Sequence, residues 1–513
     1  MDEQDLVLAF DLGTGSCKAA LWAADGTCTD HAVAAYETTH PAPGRDEQRP
    51  ADWWRAVVST SRTLLGADPS RARRVRSVSL SGQSLGVVQL DHRLQLLSTS
   101  TPVWSDARGE AFARQVFTDL PEQDWYLRTG NGFPAGLYPS FKAGCLRRED
   151  PERWSRTRHL LGAKDYVNLL LTGEVATDHS HASGSGAYDL VGGRYDDELL
   201  AAAGLDRALL PEPREAFEPV GTLTREAASA LGLPAGTPVA TGAVDNACMA
   251  LGSLGTTAGR TYASLGSSSW ITTTSPRPVL DVAARPYVFR HAVPGLFISA
   301  LSTFSSGTAL AWLRETVAPD LDVEQFLDLG AGAPAGASGT LFLPMLAGGT
   351  PLEGGSSARG ALVGLTLATG RADVARAAME GIAFALRRSL DLVRSLSGTG
   401  GDLLLAGGGA RHRGWNRVYA DVLGVPLLRT SVDQQAATLG AATIAFAGLG
   451  AWSFRDAERP HTVVERIEPD PAAVATYEEA EARFARAVAA LAPAGAEVAG
   501  RAGAGEAHLA RRV

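Results

Sequence analysis

The sequence predicts an α/β protein built as two domains of similar plan. Three observations carry this. The 513-residue chain has ordinary globular composition, 45% hydrophobic and 20% charged, and its length suits two or three domains. Short apolar runs that end in small-residue turns alternate with longer stretches of helical periodicity. A strand–turn–strand unit at Leu6–Trp22 returns about 250 residues later in the run TYASLGSSSWITTT, from Thr261 to Thr274, as expected of duplicated domains.

In chain order, Leu6–Phe10 is an apolar strand running into Asp11 and the turn Gly13-Thr14-Gly15-Ser16, with Lys18 before a second apolar run, Ala19–Trp22. Asp25-Gly26 signals a hairpin. Trp53–Leu65 has helical apolar spacing, Ser77–Ser81 reads as a short strand ending in Gly82-Gln83, and Val239–Thr241 leads into Gly242-Ala243-Val244-Asp245-Asn246. In the second half, Ala372–Ser395 places Val374, Ala378, Ile382, Ala385, Leu386, Leu390 and Val393 on one helical face. Gly381 inside it costs about 1 kcal/mol relative to alanine and marks close packing against a neighbour. Leu403–Ala406 is a buried strand breaking into Gly407-Gly408-Gly409, and Trp415–Leu423 is a further helix. Gly330–Gly339 reads as a loop, Tyr477–Leu491 as a terminal helix, and the Ala/Gly-rich remainder from Pro493 as disordered.

Composition removes several classes of function. The net charge is −9 and no basic run is sustained, which argues against nucleic acid. Cys17, Cys28, Cys145 and Cys248 form no CxxC pair, so neither a zinc site nor a disulfide framework is expected. The acidic start MDEQDLVLAF is unlike a secretory leader, and no stretch approaches the ~20 apolar residues of a membrane span. A cytoplasmic protein without a membrane partner is expected.

Glycine-rich turns let successive N–H groups converge on an anion. The turn after Leu6–Phe10, with Asp11 before it and Lys18 after it, resembles the first phosphate hairpin of the sugar kinase, Hsp70 and actin superfamily. Gly360–Glu380 resembles the C-terminal signature of the FGGY carbohydrate kinases, with Gly360, Leu362, Gly364 and Leu365 matching its opening and Asp373, Val374, Ala377, Ala378, Met379 and Glu380 its close. The flanking runs LLLAGGGARHRGWNRVYADVLGVPL and QQAATLGAA are similar to the same family, and the resemblance extends from about Leu6 to Leu449. It implies two ribonuclease-H-like domains around a central nucleotide cleft, with boundaries at 1–253 and 258–452 and an extension at 453–513.

The resemblance also implies an ATP- and Mg²⁺-dependent transfer of phosphate to a sugar hydroxyl. Asp245, in the family's Gly-x-x-Asp-Asn/Gln context, is the expected general base; its local alternative is a cap for the following helix, Ala247–Gly252. Asp11, Thr14, Gly15, Ser16 and Lys18 form the first phosphate turn, with Asp11 holding Mg²⁺ through water. Gly266, Ser267 and Ser268 form the second. Gly407, Gly408, Gly409 and Ala410, followed by Arg411 and Asn416, meet the nucleoside. Gln83, Ser84, Trp104, Asp106, Arg108, Asp245 and Asn246 lie on the sugar side, although Asp106 and Arg108 can equally form a loop ion pair.

Three departures from the family pattern stand out. Ser84-Leu85 replaces Met-His, Leu343–Pro351 lacks a Glu-Arg pair, and Cys145 stands where a tryptophan is expected. The expected acceptor is a pentulose-like ketose. A polyol kinase of erythritol or glycerol type and a non-catalytic sugar or ATP sensor are the alternatives. A homodimer is implied by resemblance.

Overall fold

The computed structural model describes residues 2–509, with side chains described as far as 493. Two compact units form. The first contains Met1–Ala258, Thr274–Ser299 and Gln435–Thr462; the second contains Gly259–Thr273, Ala300–Gln434 and Val463–Val513.

The first unit is built on a mixed sheet of β1 (Leu6–Leu12), β2 (Ser16–Ala23), β3 (Cys28–Ala35), β4 (Val75–Gly82), β5 (Pro219–Thr222) and β6 (Pro238–Ala240), in the order β5-β6-β4-β1-β2-β3. The two-residue β7 (Ala243–Val244) also pairs with β4. β1 and β2 form the antiparallel hairpin read from the sequence, Leu6 opposite Ala23 and Leu12 opposite Cys17. β1 runs parallel to β4 on its other side. Leu6–Phe10 are buried without alternation, as a strand covered on both faces requires. The helix Pro50–Gly66 starts with proline at a position where its missing N–H costs nothing.

The second unit repeats the plan. Strands β8 (Thr261–Leu265), β9 (Ser269–Ser275), β10 (Phe297–Thr303), β11 (Leu403–Ala406), β12 (Leu427–Thr430) and β13 (Val463–Ile467) include the run β10-β9-β8-β11-β12-β13. β8 is antiparallel to β9 and parallel to β11, as β1 is to β2 and β4. The outermost pairs β5–β6 and β12–β13 are both antiparallel. The loose echo in the sequence is thus a six-strand correspondence. The helix Arg371–Ser397 buries the expected face except at Val374, which is half-buried. At Gly381 an added Cβ would stand 2.0 Å from the Phe342 carbonyl oxygen, the close packing its glycine foretold.

The compact units interleave along the chain, each drawing on segments from both sides of the expected division. The helix Ala436–Gly448 lies in the first unit, because its small face packs on the helix Asp245–Gly252 and on β1 and β4. A Cβ on Gly440 would be 2.0 Å from the Cys248 carbonyl oxygen. Gly330–Gly339 is not all loop: Gly330 lies in the helix Val323–Ala331, and Ala337–Gly339 forms a 3-10 turn. The last helix is Pro471–Leu509. The disorder expected from Pro493 is not what the backbone shows as far as Leu509, where this helix continues; residues 510–513 lie outside the described residues. No helix among the described residues is long and apolar enough to cross a membrane.

Candidate active site

The candidate residues fall into two groups, one in each unit. In the first, Asp11 sits near the end of β1 with Lys18 opposite it on β2 and Ser81 opposite it on β4. Ser81 Oγ donates to Asp11 Oδ1 at 2.7 Å. Burial raises the Asp11 pKa above its ordinary value, opposed by the Ser81 bond and the Lys18 charge. The turn closes through Gly13 N–H on the Ser16 carbonyl at 3.0 Å. Two side chains that sequence reasoning missed clamp it. The Tyr36 hydroxyl donates to the Gly13 and Ser16 carbonyls, and Gln48 Nε2 donates to the Thr14 carbonyl. Their signal was weak, because both are brought in from beyond the hairpin.

Asp245 is the first residue of the helix Asp245–Gly252, and Val244 occupies the cap position without a side-chain cap bond. Asp245 thus stands in the first turn rather than at the cap position, and its carboxylate still holds one first-turn amide. Its Oδ1 accepts from the Asn246 backbone N–H at 2.8 Å and from Asn246 Nδ2 at 3.0 Å. Burial first, and then the negative charge of Asp11, push its pKa up to about 7 against the Asn246 bonds. Two carboxyls are thus held near enough within the first unit for their charges to repel.

The expected sugar-side residues divide. Trp104 is 38% exposed, and its Nε1 donates to Thr14 Oγ1 at 2.8 Å, placing it on the Gly13–Ser16 turn. Gln83 Nε2 donates to Gln48 Oε1 at 2.8 Å, which ties that segment to the same turn. Ser84 is buried. Asp106 is fully buried and takes a two-pronged contact from Arg108, both at 2.8 Å; Arg108 also reaches Glu47. Asp106 and Arg108 therefore form the loop ion pair, with guanidinium Nε and Nη2 donating to Asp106 and Glu47. Lys142 Nζ donates to the carbonyls of Leu85, Val103 and Trp104 at 2.6–3.2 Å. It binds the Ser84-Leu85 and Trp104 segments together, and burial pulls its pKa down to about 7.

In the second unit, Gly266 N–H closes on the Ser268 carbonyl at 2.9 Å. The helix Gly307–Val317 begins at this turn: Gly307 N–H donates to the Gly266 carbonyl and Thr308 N–H to the Ser267 carbonyl, at 3.0 and 3.1 Å. Beside it lies a pocket of about 670 Å³ that Gly266, Ser267, Gly408, Gly409 and Arg411 line from the expected set. Gly407 has φ +91°, and a Cβ there would stand 2.6 Å from the Leu265 carbonyl oxygen; the turn needs glycine at this point. Leu310, Leu327 and Trp415 add apolar wall, and Glu324 and His412 add polar rim. None of these five was singled out in the sequence, because four serve first as helix residues and His412 as the cap of the helix Arg413–Leu423. Ala410 and Asn416 lie beneath the pocket: buried Asn416 donates Nδ2 to the Ala410 carbonyl at 2.7 Å. Asn416 shapes the turn from behind.

No group of three or more His, Cys, Asp or Glu side chains forms a metal cage among the described residues. With Oδ1 of Asp11 bonded to Ser81, the site fits a hard cation that keeps most of its own waters, as Mg²⁺ does, and does not fit a metal held wholly by protein.

The FGGY family of carbohydrate kinases matches over both its domains, the N-terminal domain at residues 6–252 and the C-terminal domain at 261–449. The chain is 31% identical to a xylulose kinase of Klebsiella pneumoniae, over 95% of this chain and 99% of that protein. It is 28% identical to a xylulose kinase of Bacillus subtilis, over 86% and 88%. A solved xylulose kinase of Rhodospirillum rubrum superposes with a TM-score of 0.89 at 29% identity, covering 96% and 99% of the two chains. With matches across both halves, the chain belongs to the FGGY family of carbohydrate kinases and is an ATP-dependent sugar kinase, xylulokinase-like in sequence.

Proposed function

We propose that this kinase transfers the γ-phosphate of ATP to a hydroxyl of a pentulose-like ketose, with Asp245 as general base. The observation that carries the reading is the placement of the Asp245 carboxyl, at the first residue of the helix Asp245–Gly252 with Oδ1 held by the Asn246 backbone and side-chain N–H groups; burial and the Asp11 charge, which push its pKa up to about 7, are consistent with it. A base is most effective when its pKa lies near the working pH, and a carboxyl at its ordinary value would hold the alcohol proton weakly. The glycine-lined pocket of the second unit, about 670 Å³ with apolar walls, has the size and lining of a small-molecule site and is assigned to the nucleotide. Asp11, Lys18 and the Thr14–Ser16 turn are assigned to the phosphates. When bound, Mg²⁺ neutralises charge on the transferring phosphoryl group, and Asp11 is the residue that would hold its water shell. The names of the relatives support a pentulose acceptor, and polyols form the second acceptor class in the test.

ADP release from the purified protein, measured across ketoses, aldoses and polyols beside Asp245→Asn, tests the reading. Turnover stimulated most by a pentulose, and reduced at least 10³-fold by the substitution, is the expected result. Stimulation by polyols alone moves the acceptor class. Full activity in Asp245→Asn removes the base assignment.

A further inference from the structure

The backbone that carries Asp245 is gripped on both sides by a buried charged cluster. Upstream of Gly242, the Thr241 carbonyl accepts from Lys164 Nζ at 3.1 Å and from Asn168 Nδ2 at 2.8 Å. Downstream, Val244 N–H donates to Ser180 Oγ at 2.9 Å. Ser180 donates its own hydroxyl to Asp178 Oδ2, which also accepts the Ser180 N–H at 2.7 Å. Lys164 closes the circuit on Asp178 and Asp165, at 3.2 and 2.5 Å, with all three side chains at most 1% exposed. Thr177 Oγ1 and His181 approach the far oxygen of Asp165 at 2.7 and 3.6 Å. Taking such charges out of water is costly, and replacing buried ion pairs by apolar groups of similar volume is often neutral or stabilising. What the cluster uniquely supplies is a defined position for residues 241–244.

That position matters to both carboxyls of the site. Ala243 and Val244 pair with Ser81 and Gly82, and Ser81 is the residue bonded to Asp11. A slip of this short strand moves Asp245 directly and the partner of Asp11 with it. We propose that Ser180, backed by Asp178, Lys164 and Asn168, is a positioning residue for Asp245: it fixes the base through the Val244 amide without touching the reacting atoms. This rests on the reading of Asp245 as the base.

The test compares Ser180→Ala, Ser180→Thr and Asn168→Leu in the full chain, with Asp245→Asn alongside. Misplacing a catalytic group by about 1 Å costs up to 10²-fold. Ser180→Ala is expected to lower kcat about tenfold while KM for ATP and for the acceptor stays within twofold, and Ser180→Thr, which keeps the hydroxyl, to restore most of it. Asn168→Leu releases the other side of Gly242; it is expected to lower kcat in the same way, and it carries the test if Ser180→Ala does not fold. Unchanged kcat in a folded variant, or a loss confined to KM, overturns the proposal while an inactive Asp245→Asn leaves the base assignment intact. An active Asp245→Asn overturns both.

Discussion

At the scale of single residues, the pKa of Asp245 makes two opposite demands. As the proposed base it must be ionised, so kcat/KM is expected to rise with pH on an acid limb centred near 7. A pH–rate profile between pH 5 and 9 checks this; a profile flat down to pH 5 removes the raised pKa from the mechanism. Folding pulls the other way. The folded pKa of about 7 exceeds the ordinary 3.8, so between those values the folded protein binds more protons than the unfolded chain. Stability therefore falls as pH rises through that window and stays lower above it. Asp245→Asn, which cannot ionise, is expected to raise Tm at pH 8 and to change it much less at pH 4.5. Equal shifts at both pH values would show that the carboxylate carries no folding penalty. The sequence named this aspartate but could not show its environment, since burial and the Asp11 charge come from separate segments.

Among the elements, strands and helices were legible wherever apolar periodicity was strong. The β1–β2 hairpin, the Leu403–Ala406 strand and the Arg371–Ser397 helix all stand where the pattern put them. Gly381 shows how a local rule yields to packing. Alanine is preferred to glycine inside a helix by about 1 kcal/mol. Yet its methyl would meet the Phe342 carbonyl oxygen at 2.0 Å, and overpacking against a backbone atom costs about 1–3 kcal/mol. Gly381→Ala is expected to destabilise by about 2 kcal/mol, read from urea denaturation. A gain in stability would mean that β-strand Leu341–Leu343 can step aside. The Asp106–Arg108 pair marks the limit of element-level reading. The motif was visible, but only the surrounding fold spends the guanidinium on Asp106 and Glu47.

For the whole molecule, the first unit is completed by chain from far downstream. The helix Ala436–Gly448 covers β1 and β4 and seats Gly440 against Cys248. Trp22 Nε1 also donates to Thr438 Oγ1 at 3.4 Å within this unit. A fragment ending at Ala258 would leave that apolar face bare and is expected to be insoluble or molten when expressed alone. Co-expression with a segment spanning 435–462 should improve its recovery and its thermal cooperativity. A cooperative melt of the 1–258 fragment by itself would show that the downstream helix is dispensable.

By itself the sequence determined the α/β class, the duplicated hairpins, the glycine turns and the identity of Asp11 and Asp245 as chemical candidates. These follow from local rules: periodicity, turn chemistry and short motifs act within a few residues. Tertiary structure alone decided the rest. It assigned the Ala436–Gly448 helix to the first unit, spent Arg108 on buried partners and placed Asn416 behind its turn. It also brought Tyr36 and Gln48 onto the Thr14 loop and set the Lys164–Asp178–Ser180 cluster behind Asp245. Apart from the local Asn416–Ala410 and Arg108–Asp106 contacts, these depend on groups from separate segments meeting inside the fold, where hydrogen bonds and charges gain or lose most.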